Sequence, residues 1–267
     1  MPRAGARVAR LAAAAFVVGG LAFLTVPTVM VVAASFNSEA ALNFPPTGFS
    51  LRWYANLSAR PDFWRGLRNT LVVATGASVL AMAIATGAAV VLQRRPFRGS
   101  GLLAAAFLSP LVLPGVLVGV GLLFVAVQTA LVASIWILLV GHTVMVVPFA
   151  LRAVWTSLEQ LDPTVERAAG VLGARPWQVL LWVLLPVLRP GILAGLLFSL
   201  IMSINEFAVS LFIVGRATQT LPVVLFNYTM AYVDPTIAAA STLFVLGMVG
   251  LEALVGLPRL LRLEEPR

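Results

Sequence analysis

The sequence contains no cysteine and no lysine, and it has a single histidine, His142. Without cysteine, disulfides and thiolate metal sites are excluded, and one histidine cannot build a His-x-x-x-His zinc motif. Without lysine there is no Walker lysine to hold a nucleotide's phosphates, so any ATP-binding subunit must be a separate polypeptide. Neither a Gly-x-Ser-x-Gly nucleophile turn nor a metal motif accompanies His142, so no catalytic residue is expected and the chain reads as something other than an enzyme. Charge is scarce too: 10% of the residues are charged, against about 25% in ordinary soluble domains. Hydrocarbon takes its place. The chain is 60% hydrophobic with a mean hydropathy of +1.00, the composition of an all-α polytopic membrane protein. Its formal charge of +8 is carried by arginines that fall mainly in short loops beside apolar runs, which is the pattern of membrane orientation rather than of nucleic-acid binding.

Six apolar runs predict six transmembrane helices, at about 11–35, 69–92, 102–128, 130–151, 191–214 and 236–257. The first follows Arg3, Arg7 and Arg10. At roughly 25 residues it is too long for the 7–15-residue core of a signal peptide and reads as a retained span. Between the first two runs lies a polar, aromatic loop with Pro45-Pro46-Thr47-Gly48 as turn chemistry and Trp53, Tyr54, Phe63 and Trp64 suited to a membrane interface. The third run carries Pro110, Pro114, Gly115, Gly119 and Gly121, which predicts a kinked helix with close backbone contacts.

Orientation follows from the arginines. One side holds Arg3, Arg7, Arg10, Arg94, Arg95, Arg98, Arg152, Arg167, Arg175, Arg189, Arg259, Arg262 and Arg267. The other holds Arg52, Arg60, Arg65, Arg68 and Arg216. This places both termini and the 152–190 loop in the cytoplasm. No repeat of one half in the other and no linker appear, so residues 1–267 are expected to form a single transmembrane domain.

The 152–190 loop is the one long polar interruption. Asp162 suits a helix N-cap, Pro163 the first helical position, and Gly173 the left-handed residue past the end. Between them Leu158, Leu161, Val165, Ala168 or Ala169 and Leu172 recur at helical spacing, flanked by Glu159, Asp162, Glu166 and Arg167. A second short helix is expected from Pro176 to Leu185, with Pro186 and Pro190-Gly191 turning the chain back into the membrane.

Here the chain resembles the permease subunits of ATP-binding-cassette importers of the binding-protein-dependent, MetI-like type. Their cytoplasmic signature is Glu-Ala-Ala, three residues, Gly, nine residues, Ile-x-Leu-Pro. This sequence reads Arg167-Ala168-Ala169, then Gly173, then Val183-Leu184-Leu185-Pro186, with the spacing intact and the acid one place early at Glu166. The resemblance implies that Glu166, Arg167, Ala168, Ala169, Gly173 and Pro186 form the coupling region that meets the ATPase. It extends through Phe44 to Tyr54, Asn69-Thr70-Leu71, Leu108 to Gly115, Asn205-Glu206-Phe207 and Asp234 to Thr242, which look like the spermidine/putrescine branch and its 2-aminoethylphosphonate relatives. In that branch an Asp often precedes the Glu of the fifth span, whereas this chain has Asn205. The implied assembly sits in a bacterial inner membrane. It comprises this chain, a second permease forming a heterodimer with it, two ATPase subunits that bind ATP and magnesium, and a periplasmic solute-binding protein. No cofactor is implied in this chain.

Within the fifth run Ser199, Ser203, Glu206 and Ser210 sit at offsets of 0, 4, 7 and 11, which predicts a polar stripe on one helical face. These residues, with the adjacent Asn205, form the candidate substrate pathway, although Asn205 projects to another face and suits an interhelical hydrogen bond. A carboxylate in mid-span costs about 2.5–3.5 kcal/mol on insertion scales and faces either a cavity or a partner group, so Glu206 reads as a pathway residue or as a packing carboxylate. His142, flanked by Gly141 and Thr143, reads as a satisfied packing histidine. Glu252 is expected to pair with Arg259 or to be solvated. The alternative to an ATP-driven importer is a gradient-driven secondary transporter or channel, which would show repeated halves and more intramembrane charge.

Overall fold

A computed structural model describes residues 2–263, with side chains described from 10 to 253. The backbone is helical, without strands among the described residues. The helices are α1 (Pro2–Ala34), α2 (Arg52–Ser58), α3 (Pro61–Arg94), α4 (Ser100–Leu108), α5 (Gly115–Gln128), α6 (Ile135–Glu159), α7 (Pro163–Val171), α8 (Pro176–Gln178), α9 (Leu185–Ile204), α10 (Ala208–Ile213), α11 (Leu221–Ala231) and α12 (Thr236–Leu263). Among the described residues, five stretches are long and apolar enough to cross a membrane: Arg10–Ala34, Pro61–Arg94, Ile135–Glu159, Pro176–Ile204 and Thr236–Ala253. The pair α4 and α5 brings the number to six if it forms one span.

That pair departs from the expected third span. The 3₁₀ turn Ser109–Leu111 and Pro114 separate α4 from α5, and the two helices meet at 104° instead of continuing through a kink. Proline lacks a donor and clashes with the carbonyl four residues back, so Pro110 and Pro114, placed four apart, end one helix and restart another. Gly119 allows the approach anticipated for it, since a Cβ there would meet Val209 Cα and O at 3.1 Å, whereas Gly121 has open space around it.

The expected turn at Pro186 and Pro190 is absent. From Pro176 the chain is continuously helical to Ile204, passing through a π-helical segment, Val179–Leu184, before α9. The widened turn holds the carbonyl of Trp182, four residues before Pro186, within the segment whose hydrogen bonds reach five residues, which relieves the proline clash without breaking the helix.

Two compact units emerge, residues 62–224 and the remainder of the chain. In the first, Ala77, Ala81, Ala85 and Ala89 form a fully buried small-residue stripe along α3, packed with Val146, Ala150, Leu151, Val154, Leu158 and Leu188 of α6 and α9. At the start of α3, Asn69 Nδ2 donates to Ala217 O and Gln219 O, and Thr70 Oγ1 accepts from Leu221 N at 2.7 Å. In the second unit, α12 packs on α1 and α2. The Asn37 side chain gathers the loop after α1 by donating to Ala41 O and accepting from Glu39 N, Thr47 N and Thr47 Oγ1, while Trp53 Nε1 donates to Asn37 O.

Candidate functional site

The polar loop folds as its local chemistry dictates. Asp162 caps α7 by accepting from Thr164 N at 2.8 Å, Pro163 opens the helix, and Gly173 takes φ +88° just beyond its end. The backbone N–H and side chain of Thr164 hold the Asp162 carboxyl below its usual range. The stripe expected from Leu158 to Leu172 is divided: Leu158 is buried at the end of α6, whereas Val171 and Leu172 are 88% and 87% exposed.

Glu166 turns inward. Its Oε1 lies 2.6 Å from Arg94 Nε, and Arg94 Nη2 donates to Leu158 O and Leu161 O at 3.0 and 3.1 Å. Gln93 Nε2 donates to Trp155 O at 3.0 Å. The last turn of α3 therefore ties down the C-terminal end of α6 and, through one ion pair, α7. Arg94 entered the sequence reading only as a topological arginine; its acceptors, Leu158 O and Leu161 O, lie 64 and 67 positions away, beyond the reach of a local pattern. Arg167 and Ala168 are exposed and Ala169 is half-buried. Pro186 lies within the continuous helix rather than at a turn.

The fifth span is broken. The expected single face from Ser199 to Ser210 does not hold, because α9 stops at Ile204 and α10 begins at Ala208. Glu206 lies in the break, half-buried, with Oε1 accepting from Val209 N at 2.9 Å, and so satisfies a donor at the start of α10. Asn205 is exposed and donates back to Ile201 O rather than across to another helix. Ser199, Ser203 and Ser210 are fully buried and face α6. His142 of α6 spans the break, with Nδ1 2.8 Å from Ser203 Oγ and Nε2 2.8 Å from Ser210 Oγ. It is thus a packing histidine with both ring nitrogens occupied. The break follows the candidate span Pro176–Ile204, and Glu206 satisfies one of the backbone donors that it frees.

In the other unit, Arg60 Cζ lies 4.7 Å from the Tyr228 ring centroid and 5.1 Å from that of Tyr232. Tyr228 donates to Asp234 Oδ2, and Asp234 Oδ1 accepts from Thr236 N, which explains Asp234-Pro235-Thr236 as the cap of α12. Burial pushes the Asp234 carboxyl up, but hydrogen bonds from Thr236 and Tyr228 outweigh it and hold the group below its usual range. Glu252 is exposed; the side chain of its expected partner Arg259 lies outside the described residues.

Long apolar helices and a capped polar helix between two of the candidate spans are the architecture of a multi-pass membrane protein. Residues 77–257 match the family of binding-protein-dependent transport system inner membrane components, and the chain belongs to that family of multi-pass inner-membrane permeases. It is 33% identical over 258 residues to the putrescine transport system permease protein PotI of Escherichia coli, covering 93% of this chain and 90% of that one. It is 27% identical to the spermidine/putrescine permease PotC of Escherichia coli, with 91% and 92% covered. Identity to the putative 2-aminoethylphosphonate permease PhnV of Salmonella typhimurium is 30%, over 81% of this chain and 83% of that one. Two solved ABC transporters share the fold. One is involved in import of the acidic polysaccharide alginate (TM-score 0.74, 15% identity, 94% and 96% covered), and the other is the methionine transporter MetNI (TM-score 0.61, 20% identity, 80% and 98% covered). Membership in this family sets aside the gradient-driven alternative.

Proposed function

We propose that this chain forms half of the translocation pathway of an ATP-driven importer for a small amine: putrescine, spermidine or a relative such as 2-aminoethylphosphonate. The observation that carries the substrate class is the near full-length similarity to PotI, with PotC and PhnV beside it. The fold alone does not choose a substrate, since a transporter of an acidic polysaccharide shares it. The chain pairs with a second, related permease and works with two cytoplasmic ATPase subunits, where ATP and magnesium bind, and with a periplasmic solute-binding protein. Both termini and α7 lie in the cytoplasm.

The mechanism is alternating access. ATP closes the ATPase pair, α7 moves with its socket, and rigid helix groups rock so that the pathway opens outward; hydrolysis resets them. Ala168, Ala169 and Gly173 shape the coupling helix. Glu206, half-buried at the helix break with one oxygen engaged by Val209 N, offers its carboxylate to a passing cation. The test is Glu206→Gln in the intact importer, with uptake of radiolabelled putrescine and ATPase retention both measured. Uptake is expected to fall while the ATPase stays bound; unchanged uptake would return Glu206 to a packing role.

A further inference from the structure

The signature implied by resemblance places Glu at the position occupied here by Arg167, and the acid that precedes it is already spent. Glu166 is paired with Arg94 at 2.6 Å, both side chains are 17% exposed, and Arg94 is itself held by the carbonyls of Leu158, at the end of α6, and Leu161, just beyond it. At about 100° per residue, Arg167 stands on the flank away from this contact and Val171 about 140° from Glu166. The face so presented carries exposed Arg167, Ala168, Val171 and Leu172, with exposed Arg175 following. The exposed acid of α7 is Asp162, at the opposite end, where it accepts from Thr164 N.

We infer that the ATPase-facing surface of α7 is apolar and cationic, and that the groove receiving it carries a carboxylate opposite Arg167 beside an apolar floor for Val171 and Leu172. This rests on the reading of α7 as the coupling helix. Two exposed aliphatic side chains need an apolar surface to leave water. A guanidinium beside them needs an acid, because a basic groove would place like charges together in a contact that excludes water. The socket is therefore opposite in charge, at this point, to one that receives a glutamate. Arg94 is a positioning residue: it withdraws Glu166 from the docking face and fastens α7 to α3.

The experiment uses the intact importer, purified through a tag on this chain in mild detergent, with ATPase recovery measured across a salt series. Arg167→Glu is expected to lower ATPase recovery at least tenfold, Arg167→Ala to lower it less, and Gly247→Ala, where an added Cβ meets nothing within 4 Å, to leave it at wild type. Because the native chain has no cysteine, Arg167→Cys supplies the one thiol of this chain, which can carry a photoactivatable cross-linker when the chain is labelled before assembly with its partners. The cross-linked ATPase peptide should contain Asp or Glu, and changing that acid to Arg should restore recovery with Arg167→Glu. Wild-type recovery by Arg167→Glu, or a cross-link into a basic groove, would overturn the charge assignment alone. If the wild-type chain recovers no ATPase, the coupling assignment falls and this inference with it.

Discussion

Replacing His142 by leucine removes the two hydrogen bonds that hold Ser203 and Ser210 on either side of the break in the fifth span. Leucine fills much of the imidazole's space, so the cavity contribution stays small and the lost hydrogen bonds dominate. Interhelical hydrogen bonds in membrane proteins average about 0.6 kcal/mol and reach about 1.7, which gives a loss of roughly 1–3 kcal/mol for the pair. Ser210 keeps its bond to Glu206 O at 3.2 Å, which favours the lower half of that range. At about 2–4 °C per kcal/mol for a chain of this size, the lower half of that range means that Tm of the purified complex should fall by roughly 2–8 °C. Uptake normalised to folded protein should fall as well, because His142 sets the spacing across the break in which Glu206 sits. His142→Gln, able to keep one of the two bonds, should lie between. A His142→Leu importer with wild-type Tm and wild-type uptake would refute the argument.

Gly191→Ala should destabilise the contact between α9 and α6. A Cβ there would collide with Ser157 Oγ, lie 2.7 Å from Ser157 Cβ and 3.0 Å from the backbone oxygen of Ala153, and such overpacking costs about 1–3 kcal/mol. Gly247→Ala, with nothing within 4 Å, is the control expected to leave Tm unchanged. Asn69→Ala strips hydrogen bonds from Ala217 O and Gln219 O, a loss of about 1–3 kcal/mol. Limited proteolysis should then open the 215–220 segment while the core between α6 and α9 stays protected.

Features that depend on neighbours in the chain were legible in the sequence. Asp162, Pro163 and Gly173 bound α7 as their chemistry dictates, because a cap acts over a few residues. The apolar runs marked the spans for the same reason, and the resemblance to the permease signature rested on Ala168, Ala169, Gly173 and Pro186 standing at the family's spacing. The fifth span was misread because offsets of 0, 4, 7 and 11 fit a continuous helix equally well whether or not it breaks at Asn205. The break is decided by Glu206 capping Val209 and by His142, which lies more than 60 positions from Ser203 in sequence. Pro186 and Pro190 carried the opposite error, reading as a turn where a π segment keeps the helix whole. Arg94 was counted for its charge, yet its work lies in a pairing 72 positions away that no local pattern records. The Gly191 and Gly195 pair likewise packs on partners in α6, visible only once the two helices are side by side.

The central claim is that α7 passes the ATPase's motion to the membrane helices, and the most direct measurement is the ratio of ATP hydrolysed to amine imported by the reconstituted importer carrying Gly173→Asp. At φ +88° a side chain is strained, so the end of α7 must shift while the surrounding space, open around Gly173, leaves the fold intact. The expected result is an assembled complex that still hydrolyses ATP but imports little amine, so that the ratio rises steeply. Import at the wild-type ratio would contradict the account.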